Sequence, residues 1–484
     1  MDRLSALDAE FLHVEDGVGH MHIAGACVFD GPAPTPDEIE ALIASKLHAI
    51  PRYRQRVRPV PLDLGRPVWV DDPHFHLGHH VHRTSLPTGA TDLDFRLLMG
   101  RLMSQPLDRD RPLWDAWQVE GLPDDRWAMV FKVHHCMVDG IAGVGLLTVL
   151  LDLDPDATIA TPEPWEPSPE PPGFAKVVDA WGGLLGDSLD RMRRLPHAVR
   201  HPSETARDTL DTVKGFGRIA AKLPFTPPLT IDGTIGPHRA WAHASADLDD
   251  VHTIRRRFGG TVNDVALAAV TAGYRELLRH HGDDIEHAVV RSLVPVSTRH
   301  VGEDGIPDNR VSLILCDLPV HLADPVDRLE AVQRRMGELK GSHMVEAGEA
   351  VTLAGDIAPP MVVRTVSRML VRVLRRLPQR SVNTVTTNVP GPQFPLYCLG
   401  REMREYLPFV GITHGVRVGT AILSYNGRLF FGITGDEDSA PDVDVLARAA
   451  ARDVATLAAR AEAKAKPRTR ATSKATAATP PPTT

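Results

Sequence analysis

Apolar and polar positions along this chain follow two periods, and together they predict a mixed α/β protein. Over Trp127–Val133, Trp127, Met129, Phe131 and Val133 alternate with Ala128, Val130, Lys132 and His134, the period-two pattern of a strand. Met21–Phe29, Val289–Val296, Val311–Pro319 and Arg428–Thr434 also read as strands. Helical spacing predicts helices over Pro36–Ala49, started by Thr35 or Asp37, and over Val262–His280 and Val443–Ala459. Between these groups lies Asp152–Pro237. It opens on TPEPWEPSPEPPG, too rich in proline for regular structure. Polar helical stretches follow over Phe174–Val199 and Ser203–Leu223, and the section closes on PFTPPL. The organisation expected is a first half over 1–151, a long crossover linker over 152–237, a second half over 238–460 and a tail over 461–484. The tail is rich in Ala, Thr, Pro, Lys and Arg and is expected to be disordered. Two α/β halves leave a cleft between them, a favoured place for a small-molecule site.

Several classes are excluded by what is missing. The longest apolar run, Ile141–Leu151, is far shorter than the roughly 20 residues that span a bilayer. The opening MDRLSALDAEFLHVED is acidic and has no apolar core, so no secretory signal is expected. With 54 Lys and Arg against 62 Asp and Glu, the net charge is −8, which argues against a general nucleic-acid binder. Cys27, Cys136, Cys316 and Cys398 lie far apart with no CxxC pair. A disulfide framework or zinc ribbon is therefore not expected, and a reducing compartment such as the cytoplasm fits.

The most informative chemistry follows the strand at Trp127. The segment WAMVFKVHHCMVDG stops alternating at His135, turns through CMVDG, and runs into the apolar stretch IAGVGLLTVLL. Histidine pairs alone mean little, because the chain has 23 histidines and three such pairs, His79–His80, His134–His135 and His280–His281. The longer pattern HHxxxDG is another matter, with on the order of 0.01 matches expected by chance from the composition. A neutral imidazole accepts a hydroxyl proton near neutral pH, so this pair reads as a general base at a strand mouth. Asp139 can hold the following loop by pairing with a cation, and Gly140 permits the turn. Cys136 follows His135 directly and, on an extended segment, points to the opposite face, so it reads as packing. No GxSxG elbow is present. The stretch HFHLGHHVH at 74–82 contains no Cys, Asp or Glu and matches no familiar zinc spacing, so no metal is assigned to it.

With HHxxxDG come LSALDAEFLHVE near the start, PLW at Pro112–Trp114, ND at Asn263–Asp264, PVSTR at Pro295–Arg299, NVPGP at Asn388–Pro392 and SYNG at Ser424–Gly427. In combination the chain resembles the bacterial wax ester synthase/diacylglycerol acyltransferase family of CoA-dependent acyltransferases, from residue 4 to about residue 436. The resemblance implies two chloramphenicol acetyltransferase-like halves with the active site in a tunnel between them. It implies acyl-CoA as co-substrate with no cofactor, and diacylglycerol or a long-chain alcohol as acceptor. His135 would be the base, beside His134. Asp139 would be structural and paired with an arginine, for which Arg299 is the candidate. PLW would lie close to the site; by its own pattern Pro112 starts a strand and Trp114 packs in the core. NVPGP, a turn by composition, would lie where the halves meet.

Asn263 sits in GGTVNDVALAAV, at or just before the start of an apolar helix, where it is either the oxyanion donor or an ordinary helix N-cap. Asp264 is expected to hold the local structure. Met361–Leu377, MVVRTVSRMLVRVLRRL, reads as a basic amphipathic helix. It suits a membrane or lipid-droplet surface, the CoA phosphates, or a solvated face packed on the protein. Two other readings compete: a condensation-type acyltransferase using a carrier-bound donor, and a non-catalytic lipid-binding or droplet-coating protein.

Overall fold

The computed structural model describes residues 2–61, 64–137, 147–179, 226–297, 311–340 and 381–465. In the first half, helix α1 (Ala6–Val14) precedes strand β1 (His22–Asp30) and helix α2 (Pro36–Lys46). α2 starts where it does because Thr35 and Glu38 cap each other reciprocally with Pro36 in the first turn, so Thr35, not Asp37, is the start signal. A hairpin of β2 (Gln55–Arg58) and β3 (Val68–Asp71) is followed by β4 (Val81–Ser85), helix α3 (Asp92–Ser104), β5 (Trp114–Leu122) and β6 (Arg126–His134). The proline-rich stretch has no regular element, yet it is pinned along the hairpin. The Ser168 N–H donates to Asp71 (2.9 Å), and Arg56 of β2 donates to Glu170 (3.1 Å).

The second half contains β7 (Arg239–Asp247), α4 (Leu248–Phe258), α5 (Val262–His281), β8 (Val290–Ser297), β9 (Val311–Leu318), α6 (Pro325–Lys340) and β10 (Thr384–Pro390). It ends with β11 (Tyr397–Cys398), β12 (Arg401–Phe409), β13 (Val418–Tyr425), β14 (Arg428–Asp436) and α7 (Asp444–Ala465). Its sheet has the order β7-β14-β13-β10-β8-β9, with β8, β10 and β13 parallel. α5 is apolar on nearly every side (Val265, Leu267, Val270, Tyr274 and Leu278 are all buried) because α7 covers one flank and the sheet the other.

The first sheet has the order β11-β12-β1-β6-β5-β4, so two strands from the far end of the chain complete the first half. β12 runs antiparallel to β1, pairing Ala24 with Phe409 and Cys27 with Tyr406. One apolar core consequently spans both sheets: Trp241, Leu423, Tyr425 and Phe430 of the second sheet join Phe29, Trp127 and Met129 of the first. Two expectations need correcting. NVPGP is not a turn from its first residue, because Asn388–Pro390 continue β10 in register with Ile422–Ser424 before the chain bends at Gly391. The last helix also runs on to Ala465, into the stretch assigned to the tail, because Ala461 is still buried.

Candidate active site

Strand β6 ends where its alternation ends. His134, its last residue, lies opposite His22 of β1, and its backbone N–H donates to the Leu113 carbonyl (2.9 Å). The chain then tightens into a single 3-10 turn over His135–Met137, with the His135 N–H donating to the Met21 carbonyl (2.8 Å). The turn separates the two imidazoles. His134 is 1% exposed. His135 is half-buried, its ring stacked on Phe11 of α1 at 4.2 Å between centroids. The Cys136 N–H donates to His134 Nδ1 (3.1 Å), so a neutral His134 carries its proton on Nε2. The Cys136 side chain is buried among Leu4, Leu12, Trp69 and Leu113, and burial pushes its thiol well up. A thiol so held is a poor nucleophile.

The charged partner of the pair is Glu15, at the end of α1. Its Oε2 lies 3.6 Å from His134 Nε2, an ion-pair distance slightly longer than a hydrogen bond, and it is gripped by the Arg109 guanidinium (Nε at 3.1 Å). Its Oε1 accepts the Met21 N–H (3.2 Å). Burial pulls the Glu15 carboxyl upward, but bonds and charge from His134 and Arg109 outweigh it and hold the group at about 2, against 4.5 ordinarily. Spacing along the chain gave no sign of this, although Glu15 belongs to the LHVE stretch that carried part of the resemblance. Behind it, burial pushes His20 and His22 down, and Lys132 down to about 8.

A carboxyl depressed in the folded state contributes stability above its unfolded value and loses it as pH falls from 4.5 towards 2. The shift corresponds to about 3 kcal/mol as an order of magnitude. Glu15→Gln should therefore be less stable to urea than wild type at pH 7. The gap should hold down to about pH 5 and narrow below it. A gap that is constant from pH 7 to pH 3.5 would show that Glu15 stabilises by shape rather than charge.

The other candidates fall into three groups. Asp139, Gly140 and Arg299 lie outside the described residues, as do Met361–Leu377. Pro112 and Trp114 are buried. Trp114 Nε1 donates to the Tyr53 carbonyl (2.8 Å) and its ring stacks on His80 at 4.7 Å, so it is a core residue of β5. His74, His76, His79 and His80 line a cavity of about 330 Å³. Among the described residues, no group of three or more His, Cys, Asp or Glu is placed to hold a metal ion. Asn263 and Asp264 lie in the first turn of α5. The N-cap is Thr261, whose hydroxyl accepts the Asp264 N–H (3.2 Å) while Asp264 Oδ2 accepts the Thr261 N–H (2.8 Å). The N-cap reading of Asn263 is thereby overturned. Its Oδ1 instead accepts from Asn388 at the end of β10 (3.1 Å), which leaves its amide donors for another partner.

The second half meets the segment behind the histidine pair, Asp16–His22. The loop after β12 seats on that segment. His414 Nε2 is 3.3 Å from Asp16 Oδ2, and a side chain at Gly411 would lie 3.0 Å from the His20 carbonyl and 3.2 Å from that of His22. Arg239, at the start of β7, donates to the Val18 carbonyl.

Residues 4–266 match the wax ester synthase/diacylglycerol acyltransferase catalytic domain, and residues 308–457 match the WS/DGAT C-terminal domain. A Mycobacterium tuberculosis protein named "Probable diacyglycerol O-acyltransferase tgs1" is 38% identical over 465 residues, covering 95% of this chain and 96% of that one. Among solved structures, the wax ester synthase/diacylglycerol acyltransferase of Marinobacter aquaeolei superposes with a TM-score of 0.66 at 25% identity, over 96% of this chain and all of that one. A trichothecene 15-O-acetyltransferase from Fusarium sporotrichioides shares the fold at a TM-score of 0.58 and 13% identity, over 94% of each chain.

Proposed function

The chain belongs to the wax ester synthase/diacylglycerol acyltransferase family and is an acyl-CoA-dependent O-acyltransferase of the class that makes triacylglycerol and wax esters; we propose that His135 is its general base. The observation that carries this assignment is the divergence of the two imidazoles. His134 is sealed between Glu15 and the Cys136 amide, whereas His135 is half-buried with its ring laid on Phe11. In the reaction, His135 takes the acceptor hydroxyl proton as the oxygen attacks the thioester carbonyl. The C–O bond forms, the C–S bond breaks, and the imidazolium returns its proton to the leaving thiolate. A positioned base contributes roughly 10²–10⁴-fold. An oxyanion donor adds on the order of 10²–10³-fold, a role the free amide donors of Asn263 suit. Direct transfer accords with the buried, protonated Cys136.

Acyl-CoA serves as co-substrate without a further cofactor. The acceptor is a lipid alcohol, diacylglycerol first and a long-chain alcohol second. Among the described residues no helix is long and apolar enough to cross a membrane. The basic amphipathic sequence Met361–Leu377 supports peripheral contact with a membrane or lipid-droplet surface.

An acceptor panel with palmitoyl-CoA tests the reading. CoA release should accelerate with dioleoylglycerol or hexadecanol and be matched by ester formed. Release that no alcohol accelerates would leave a binding protein or a hydrolase. Turnover only with a carrier-bound acyl donor would favour the condensation-type alternative.

A further inference from the structure

Glu15 does more than balance a charge. Its two carboxylate oxygens face different partners, and His20 Nδ1 lies 3.8 Å from Oε1. Oε2 faces His134 Nε2 at 3.6 Å. Oε1 accepts the Met21 N–H at 3.2 Å, and the carbonyl of that same residue accepts the His135 N–H at 2.8 Å. One side chain thus fixes the buried ring directly and the backbone of the proposed base through a single intervening residue. Arg109 holds the carboxylate from the other side and also donates to the Leu12 carbonyl (3.0 Å), locking Glu15 to α1. Phe11, on which the His135 ring stacks, is one turn back on that helix. The orientation of the base and the surface it leans on therefore converge on one residue.

We propose that Glu15 is a positioning residue for acyl transfer, orienting His135 through Met21 and His134. The proposal rests on the reading of His135 as the base. Such a residue acts on the turnover step rather than on substrate capture, because it touches neither the thioester nor the alcohol. Its charge faces His134 Nε2 at 3.6 Å and His20 Nδ1 at 3.8 Å and is balanced by Arg109 (Nε at 3.1 Å), so the device acts on His135 by orientation.

The test is steady-state kinetics of the full-length protein with palmitoyl-CoA and dioleoylglycerol, comparing wild type with Glu15→Gln and Glu15→Ala. Gln keeps an acceptor for the Met21 N–H and loses the charge; Ala loses both. Outer residues that orient a working histidine are commonly worth roughly 10–100-fold. The expected result is kcat reduced about 10-fold in Gln and about 100-fold in Ala, with KM for either substrate within about 3-fold. Folded variants with wild-type kcat overturn the proposal, as does a loss of activity carried by KM rather than kcat. Should either variant fail to fold, Arg109→Gln reads the same device from its other side, and an unchanged kcat there overturns it. Absence of ester from wild type itself would instead indict the acyltransferase reading.

Discussion

His135→Ala is expected to remove acyl transfer, by roughly 10²–10⁴-fold in kcat, with the protein still folded. The two histidines are adjacent, yet their truncations should differ in kind. The His135 ring is half-buried and leans on Phe11, while its backbone bond to Met21 survives the substitution. The stability cost should stay near 1 kcal/mol, within the usual range for a partly exposed side chain. His134→Ala leaves Glu15 facing an empty space and the Cys136 amide without its acceptor, in a site 1% exposed. That variant should lose stability as well as activity, by about 2–4 kcal/mol, because a buried carboxylate is left half-paired. The measurement is CoA release together with urea unfolding for both variants. Wild-type-like turnover in His135→Ala would move the base to His134 or remove it from the pair.

The site was partly legible because its signal is local. A strand that stops alternating, two imidazoles and a DG turn are all contained in fourteen consecutive residues, Trp127–Gly140. Strand β1 and helix α2 were legible for the same reason, their periods being complete within one element. The capping of α5 was equally readable, since Thr261 and Asp264 form a T-x-x-D pattern, but the neighbouring Asn263 drew the assignment instead. Glu15 was not legible. Its partner is on a strand more than a hundred positions away, and no period or spacing in the chain links the two. The exchange of β12 into the first sheet was hidden in the same way. The alternation in REMREYLPF says strand, whereas the choice of β1 as neighbour is made by tertiary packing.

That exchange sets up the second large effect. Where β12 passes the second sheet, Gly432 of β14 approaches the Pro408 carbonyl so closely that a Cβ would sit 1.7 Å from its oxygen. The same oxygen accepts a hydrogen bond from Trp241 Nε1 (3.2 Å). The two atoms within 3 Å of a new methyl are both backbone, with Pro408 Cγ next at 3.3 Å, and the strands are held by pairing to β1 on one side and to β7 and β13 on the other. No side-chain rotation relieves the clash, so Gly432→Ala must push the sheets apart and weaken the core they share. The expected cost is about 3 kcal/mol or more, at the upper end for overpacking. The displacement also reaches the chemistry. β12 is two strands from β6, and the loop that follows it seats on the Glu15–His22 segment through His414 and Gly411. A misplacement of about 1 Å in a catalytic constellation can cost about 10²-fold in rate. Gly432→Ala should thus lose both urea stability and turnover with every site residue present. Gly337→Ala, in helix α6 with open space around it, should be neutral or gain up to about 1 kcal/mol. A Gly432→Ala protein as stable and active as wild type would mean that the two sheets do not bear on each other at Pro408, and that the histidine pair is positioned by the first half alone.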